Sequence, residues 1–264
     1  MALPAWIQRL VLKSVDEIYA RIPRPLPDRE KLKDCRIVSH RGAYDNRTVF
    51  ENTLAAFDRV RAAGVWGLEL DIRWTRDLHP VVFHDESLQR FFDSSLKIRE
   101  LTLAELKSSY SIIPTLKEVI DGYAEKLHLM LELKKEIYPD PVRQNRVLQD
   151  LFAGLEPAVD FHFLSLNPEM FKMIAGLPPA AFLPIAELNV SRFSELSLRE
   201  GYGGILGHYL LLTGSILEIH QSRHQRVGTG FVNSKRCLFR ELNRGVRWIF
   251  SDNAVELQAF CGSP

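Results

Sequence analysis

The sequence predicts an α/β fold, a (β/α)8 barrel of eight parallel strands each followed by a helix. Three observations carry the prediction. Short apolar runs alternate with helical segments in eight units from residue 36 to residue 260, and such alternation argues a parallel sheet under helical cover. Eight units in about 230 residues is the size of one closed barrel. The ionisable residues between Ile37 and Asp85, with Glu132 and Lys134 farther on, fall at the ends of the apolar runs, where a barrel of this kind holds its active site. The competing arrangement, an open doubly wound sheet, usually carries a Gly-rich phosphate loop after its first strand. Here His40-Arg41-Gly42 follows instead.

Taken in order, residues 3–21 set Leu3, Trp6, Ile7, Leu10, Val11, Val15, Ile18 and Tyr19 at helical spacing, with Arg9, Lys13 and Glu17 between them. This predicts an amphipathic N-terminal helix. Packing as a cap on the protein body is the favoured reading over an interfacial membrane anchor. Pro23, Pro25 and Pro27 then break the helix, so residues 1–30 form a helix and linker and residues 31–264 the barrel domain. Arg36–Ser39 is the first strand. A helix over Thr53–Ala63 follows, capped by Asn52 or Thr53 and ended by Gly64. Trp66–Ile72 is the second strand and Pro80–Phe83 a short extra one. Residues 85–113 form a small insertion with a helical stretch at 101–106. Thr115 caps a helix through Tyr123, and Leu127–Leu133 is the third strand, followed by a helix across 141–154. Further strands are expected near 161–165, 181–185, 204–208, 227–232 and 247–251. Helices are expected near 168–175, 192–200, 214–224, 235–243 and 253–260.

Composition narrows the function. A formal net charge of +1 gives no bulk attraction to nucleic acid or acidic membranes, and no basic stripe is interleaved with aromatic residues. The three cysteines are odd in number and lack metal-type spacing, which fits a reduced, cytoplasmic setting. No apolar run of about 18 residues is present to form a transmembrane helix, and the N-terminus lacks the pattern of a cleaved signal peptide.

The chemistry concentrates in a few residues. Glu69 and Asp71 are two apart on a strand and so share a face. Carboxylates forced together repel unless a cation sits between them. Glu132 adds a third acid at a strand end, and three carboxylates suit a hard cation, Ca2+ or Mg2+; the structural alternative pairs these acids with Arg41, Arg73 or Lys134. His40 and His84 are candidate general acid and base. Arg41 and Lys134 suit phosphate oxygens. Gly42 lets the chain turn after the first strand, and Asp85 is placed to orient His84.

The ordered set His40-Arg41-Gly42, Glu51-Asn52-Thr53, Glu69-x-Asp71, Thr75-x-Asp77, Pro80-Val81-Val82-Phe83-His84-Asp85 and Glu132-x-Lys134 resembles the glycerophosphodiester phosphodiesterases. The resemblance is strong over residues 36–134, traceable to 253 and absent from 1–30. It implies catalytic histidines at His40 and His84, metal ligands at Glu69, Asp71 and Glu132, and phosphate contacts from Arg41 and Lys134. Glu51 matches a motif acid, and with it the reading is a site residue that orients Arg41 or contacts the metal, with a helix N-terminal charge as the structural alternative. Asn52 is read as a cap. Departures touch the substrate side. Leu78-His79 stands where a glycine usually follows Asp77, so that turn is expected to be built differently. Ser165-Leu166-Asn167-Pro168 resembles a Ser-Phe-Asp-Pro pattern. Gly230-Phe231-Val232-Asn233 stands where Trp-Thr-Val-Asn is common, and Phe231, offset by one on a strand, is expected on the opposite face. The implied activity is metal-dependent hydrolysis of a small-molecule glycerophosphodiester to sn-glycerol 3-phosphate and an alcohol. A lysophospholipase D acting on lysolipids is the neighbouring reading, and a non-catalytic phosphate-binding module the reading from another class.

Overall fold

The computed structural model of the chain describes residues 15–261. Eight parallel strands follow one another around a closed sheet: β1 (Arg36–His40), β2 (Gly67–Trp74), β4 (His128–Leu133), β5 (Phe161–Ser165), β6 (Phe182–Ala186), β7 (Gly204–His208), β8 (Arg226–Gly230) and β9 (Trp248–Ser251), with β9 paired back onto β1. The expected barrel is the observed one. β3 (Pro80–Val82) lies antiparallel against the far end of β2, where Ile72 faces Val82 and Trp74 faces Pro80.

Alternation along the strands sorts the side chains, because neighbours leave opposite faces. Ile37, Leu68, Leu70, Leu129, Leu131 and Ile249 belong to the core between sheet and helices, whereas Val38, Met130, Leu164, Leu183, Leu206 and Phe250 form a separate cluster that plugs the barrel. Gly228 belongs to this plug, since a Cβ there would come within 2.5 Å of Leu206 and 2.9 Å of Phe250. Two residues farther along the same inner face stand His40, Glu132, His208 and Asp252, and two residues back stand His128, His162 and Trp248. The inner face is thus layered, polar at the C-terminal end of the strands, apolar in the middle, and aromatic at the N-terminal end.

The outer helices mostly follow the expectation. The hydroxyls of Thr53 and Thr115 cap the helices Leu54–Ala62 and Leu116–Tyr123 by accepting from the N–H groups of Ala56 and Glu118. After β5, however, the chain forms a 3-10 turn, Pro168–Met173, rather than an α-helix. Gly176 and the Pro178-Pro179 pair interrupt the segment before a longer helix can propagate. The insertion after β3 carries two short helices, Gln89–Phe92 and Leu103–Ser109, packed on their own small core of Phe83, Leu88, Ile98, Leu106 and Ile113. The turn after Asp77 was expected to change with the loss of a glycine, yet Leu78 takes φ 65, a left-handed conformation that glycine accommodates without strain.

Most of the N-terminal helix expected at 3–21 lies outside the described residues. Residues 15–19 are helical. Asp16 accepts a 2.5 Å hydrogen bond from the Tyr209 hydroxyl, Tyr19 meets Tyr209 edge-on at 5.8 Å, and the Arg240 guanidinium lies over the Tyr19 ring. The described end of this segment is therefore packed on the barrel beside the loop that follows β7. Among the described residues, no helix is long and apolar enough to cross a membrane.

The aromatic layer contains a buried histidine pair with a consequence for stability. His128 Nδ1 lies 2.8 Å from the Val159 carbonyl, which can only accept, so Nδ1 carries a proton. His128 Nε2 then accepts from His162 Nδ1 at 2.8 Å, and Trp66 stacks on the His128 ring at 4.4 Å. Burial pushes His128 down to about 4 and His162 down to about 3. Both rings are neutral in the folded protein at pH 6, whereas an unfolded histidine titrates near 6.5. As pH falls below that value the unfolded chain binds protons that the folded pair refuses, so stability drops until about pH 4. The expected loss is ~3 kcal/mol for His128 alone. Melting temperatures between pH 4 and 7 should fall less steeply for the double variant His128→Leu/His162→Leu than for the parent. Parallel curves would remove the pair as the source.

Candidate active site

The polar layer gathers the residues that the sequence places at strand ends. β1 delivers His40, and Arg41 and Gly42 turn the chain with φ 59 and φ 90. A Cβ on Gly42 would come within 2.7 Å of Ala56, so the turn needs glycine for both its angle and its contact with the following helix. β2 delivers Glu69 in register with His40, and Asp71 in register with Glu132 of β4. Lys134 stands just past β4, and His84 just past β3. Glu51, Glu69, Asp71, Glu132 and Lys134 are buried, while His40, Arg41 and His84 remain partly open to solvent.

Ion pairs tie the group together. Lys134 Nζ lies 2.5 Å from both Asp71 and Glu132. Arg41 sets Nε 3.1 Å from Asp71 and Nη1 3.0 Å from Glu51. Burial opposes the charge on Asp71, but Lys134 and Arg41 outweigh it and hold this carboxyl well below the usual range. Asn52 was expected to cap the first helix. Instead Thr53 is the cap, and Asn52, at φ 58, donates from its amide to Asp71 at 2.7 Å. Glu51 precedes the helix and its cap, so the first-turn role falls away. Its oxygens accept from Arg41, from Asn46 at 2.9 Å, and from both terminal nitrogens of Arg90 at 3.0 and 2.6 Å.

Each histidine has a carboxylate behind it. His84 Nδ1 lies 2.6 Å from Asp85, as the sequence suggested, and Arg90 Nε holds the other oxygen of Asp85 at 2.5 Å. His40 Nδ1 lies 2.7 Å from Asp252, at the end of β9, with its Nε2 3.9 Å from Glu69. Asn233 in turn donates to Asp252 at 3.0 Å. The two rings sit in opposite fields. Burial draws His40 downward, but the Glu69 and Asp252 carboxylates outweigh it and raise its pKa. Burial pushes His84 down to about 4, with Asp71 opposing and Lys134 and Arg41 adding to the shift.

Sequence reasoning missed Asp252 and Arg90. Asp252 had a signal, since an acid directly after a strand of the barrel falls on the catalytic face. Arg90 had none, because it comes from a helix of the insertion. Phe231 needs correction. β8 ends at Gly230, Phe231 turns to φ 64, and its half-exposed ring stacks on His208 at 5.4 Å beside the site.

The acids fit a metal ion. Glu69, Asp71 and Glu132 each offer an oxygen, all within 4.8 Å of one another. Asp71 and Glu132 share Lys134, but among the described residues Glu69 has only the Arg41 main-chain N–H at 3.2 Å and His40 at 3.9 Å. Burial, then the neighbouring Asp71, push Glu69 well above the usual carboxylate range, and Glu132 is raised for the same reasons in the same order. The triad gathers more buried carboxyl groups than the side-chain cations pair with, in an all-oxygen donor set that suits a hard divalent cation.

Comparison with known proteins adds independent findings. Residues 40–177 match the family model described as the glycerophosphoryl diester phosphodiesterase family. A glycerophosphodiester phosphodiesterase of Bacillus altitudinis is 28% identical over 239 residues, which cover 82% of this chain and 94% of that protein. One from Caldanaerobacter subterraneus is 34% identical over 125 residues, a match that spans 43% of this chain and 51% of the relative. Among solved structures, a glycerophosphodiester phosphodiesterase of Thermotoga maritima superposes with a TM-score of 0.70 at 22% identity, covering 84% of this chain and 96% of that one. An Oleispira antarctica phosphodiesterase in complex with the product sn-glycerol 3-phosphate gives 0.69 at 22% identity, covering 85% and 96%. At these identities the two structures speak for the fold.

Proposed function

The chain belongs to the glycerophosphoryl diester phosphodiesterase family, and on that premise we propose that it hydrolyses glycerophosphodiesters to sn-glycerol 3-phosphate and an alcohol. The observation that carries this reading is the pair of histidine–carboxylate dyads, His40–Asp252 and His84–Asp85, set around the phosphate-sized cations Arg41 and Lys134. Phosphodiester cleavage needs one proton removed from the attacking oxygen and another delivered to the leaving oxygen. Two histidines, each fixed by a carboxylate at Nδ1, present their Nε2 atoms for those tasks. Arg41 and Lys134 would hold the non-bridging oxygens and stabilise charge as it builds on phosphorus. Glu51 acts on Arg41 rather than on the substrate, because its oxygens are taken by Arg41, Arg90 and Asn46.

Glu69, Asp71 and Glu132 would hold Ca2+ or Mg2+. Such an ion supplies Lewis-acid polarisation of the phosphoryl group when bound. The other work falls to the protein: Asn52 orients Asp71, Lys134 bridges Asp71 and Glu132 and with Arg41 keeps Asp71 ionised, and burial of the triad excludes competing water.

The test is a coupled assay for released sn-glycerol 3-phosphate over a panel of glycerophosphodiesters with choline, ethanolamine, glycerol and inositol headgroups. Stoichiometric release of glycerol phosphate and free alcohol is expected from at least one of them. Release of glycerol with a phosphorylated headgroup would mean that the opposite P–O bond breaks and would overturn the reading.

A further inference from the structure

The N-terminal end of a (β/α)8 barrel faces away from the chemistry, and its residues ordinarily serve stability. Here that end holds an open cavity of about 630 Å³, bordered by the turns that lead into β1, β8 and β9. Its size is that of a small-molecule site. Arg36, Arg223, Arg226 and Arg247 line it, against the single carboxylate of Asp34. Asp34 pairs with Arg247 at 3.3 Å, so Arg36, Arg223 and Arg226 have no carboxylate partner among the described residues. Arginines gathered around one cavity draw anions into it, and the guanidinium fork suits phosphate oxygens.

The floor of the cavity is the aromatic layer of the barrel. Trp66 is partly open, stacks on His128 at 4.4 Å and carries the Arg36 guanidinium 5.8 Å from its ring centre. Trp248 lies 5.7 Å from Trp66 and meets His162 nearly at right angles. His162 is 3% exposed, yet one of its nitrogens is unused. Nδ1 donates to His128 Nε2, so Nε2 of the neutral ring is a bare acceptor with no partner among the described residues. The indole N–H of Trp248 has no acceptor among them either. A buried polar atom left without a partner is costly, and this one belongs to a residue that lines the cavity. One volume thus offers an acceptor, a donor, flat aromatic surface and unpaired cations.

We propose that this cavity binds a nucleoside phosphate, at the end of the barrel opposite the catalytic site. The phosphate lies on Arg223 and Arg226. The base lies against Trp66 and Trp248, and its edge donates an N–H to His162 Nε2 while a ring nitrogen or carbonyl oxygen accepts from the Trp248 indole. Inorganic phosphate would use the arginines alone. A sugar phosphate would add a hydroxyl for His162 but no flat face for the tryptophans.

The experiment is calorimetry on the full chain with Mg2+ present, comparing adenosine 5′-monophosphate with ribose 5-phosphate, adenosine and inorganic phosphate. The nucleotide should bind at least tenfold more tightly than ribose 5-phosphate, the scale of stacking one base on aromatic side chains. It should also bind at least tenfold more tightly than adenosine, which lacks the charge-assisted bonds to arginine. The double variant Arg223→Ser/Arg226→Ser changes two exposed side chains, so it should keep the parent's melting temperature and lose at least tenfold in nucleotide affinity. A second readout is indole fluorescence. The nucleotide should quench it in the parent, and Trp66→Leu should remove most of the quench and bring the nucleotide down towards ribose 5-phosphate. Equal affinities for the nucleotide, ribose 5-phosphate and inorganic phosphate would reduce the cavity to an anion patch and overturn the proposal. Nucleotide binding that survives the double arginine variant would place the ligand elsewhere and overturn it too, as would no binding at millimolar nucleotide.

Discussion

Removing divalent cations should take turnover of the best glycerophosphodiester down by about three orders of magnitude, the scale of losing Lewis-acid stabilisation of a phosphoryl transfer, with added Ca2+ or Mg2+ restoring it. The physical case is the charge balance of the buried triad. Glu69, Asp71 and Glu132 each place an oxygen within 4.8 Å of the others, and Lys134 and Arg41 engage Asp71 and Glu132 but, among the described residues, leave Glu69 without a side-chain cation at hydrogen-bond distance. Glu69→Gln separates the metal role from a structural one. The amide keeps the shape and replaces a buried carboxyl whose ionisation burial and Asp71 oppose, so the cation-free variant should melt no lower than the cation-free parent. The rise in melting temperature that a bound cation gives the parent should disappear in the variant, since a ligand stabilises only the state it binds. Unaltered activity after exhaustive chelation, with no cation-dependent shift in melting, would remove the metal from this site.

Much of the fold and of the site could be read from the chain because its signals were local. Glu69 and Asp71 advertise their shared face by a spacing of two, and Glu132 and Lys134 repeat it at the end of the neighbouring β4. The errors have the same origin. Asn52 looked like a cap because capping is decided within three residues, whereas its bond to Asp71 spans 19 positions. Arg90 reaches Glu51 over 39 positions through an insertion whose packing no local pattern describes. Phe231 was misassigned because the expected strand ran to 232 whereas β8 ends at Gly230, so the alternation of faces along a strand no longer governs the residue that follows. Asp252 obeys the strand-end rule that identified His40, but its role emerges only when β9 closes the sheet beside β1 and brings the carboxylate to His40 Nδ1.

A glycerophosphodiester lacking the hydroxyl next to the phosphate-bearing carbon should bind but turn over at least about a hundredfold more slowly, because an oriented internal nucleophile has a large proximity advantage over a separate water. Two routes suit the two dyads. In one, water attacks phosphorus directly. In the other, which we favour, the glycerol 2-hydroxyl attacks. Its oxygen bonds to phosphorus, its proton passes to one histidine, and the bond from phosphorus to the alcohol breaks as the other histidine protonates the departing oxygen. The first product is a five-membered cyclic phosphate. Water then opens the ring, with the histidines working in reverse, and leaves glycerol 3-phosphate. Both dyads suit this exchange, since Asp252 and Asp85 fix each ring at Nδ1 and leave Nε2 to accept or donate. Arg41 and Lys134 serve both steps, because the charge they face builds on the same phosphoryl oxygens each time. The comparison is made at saturating Mg2+ or Ca2+, with the dissociation constant of the deoxy compound measured separately so that weak binding is not mistaken for slow chemistry. Trapping the cyclic phosphate by phosphorus NMR during turnover of the parent substrate would identify the intermediate itself. Equal rates on the two substrates, with no cyclic species, would assign the attack to water.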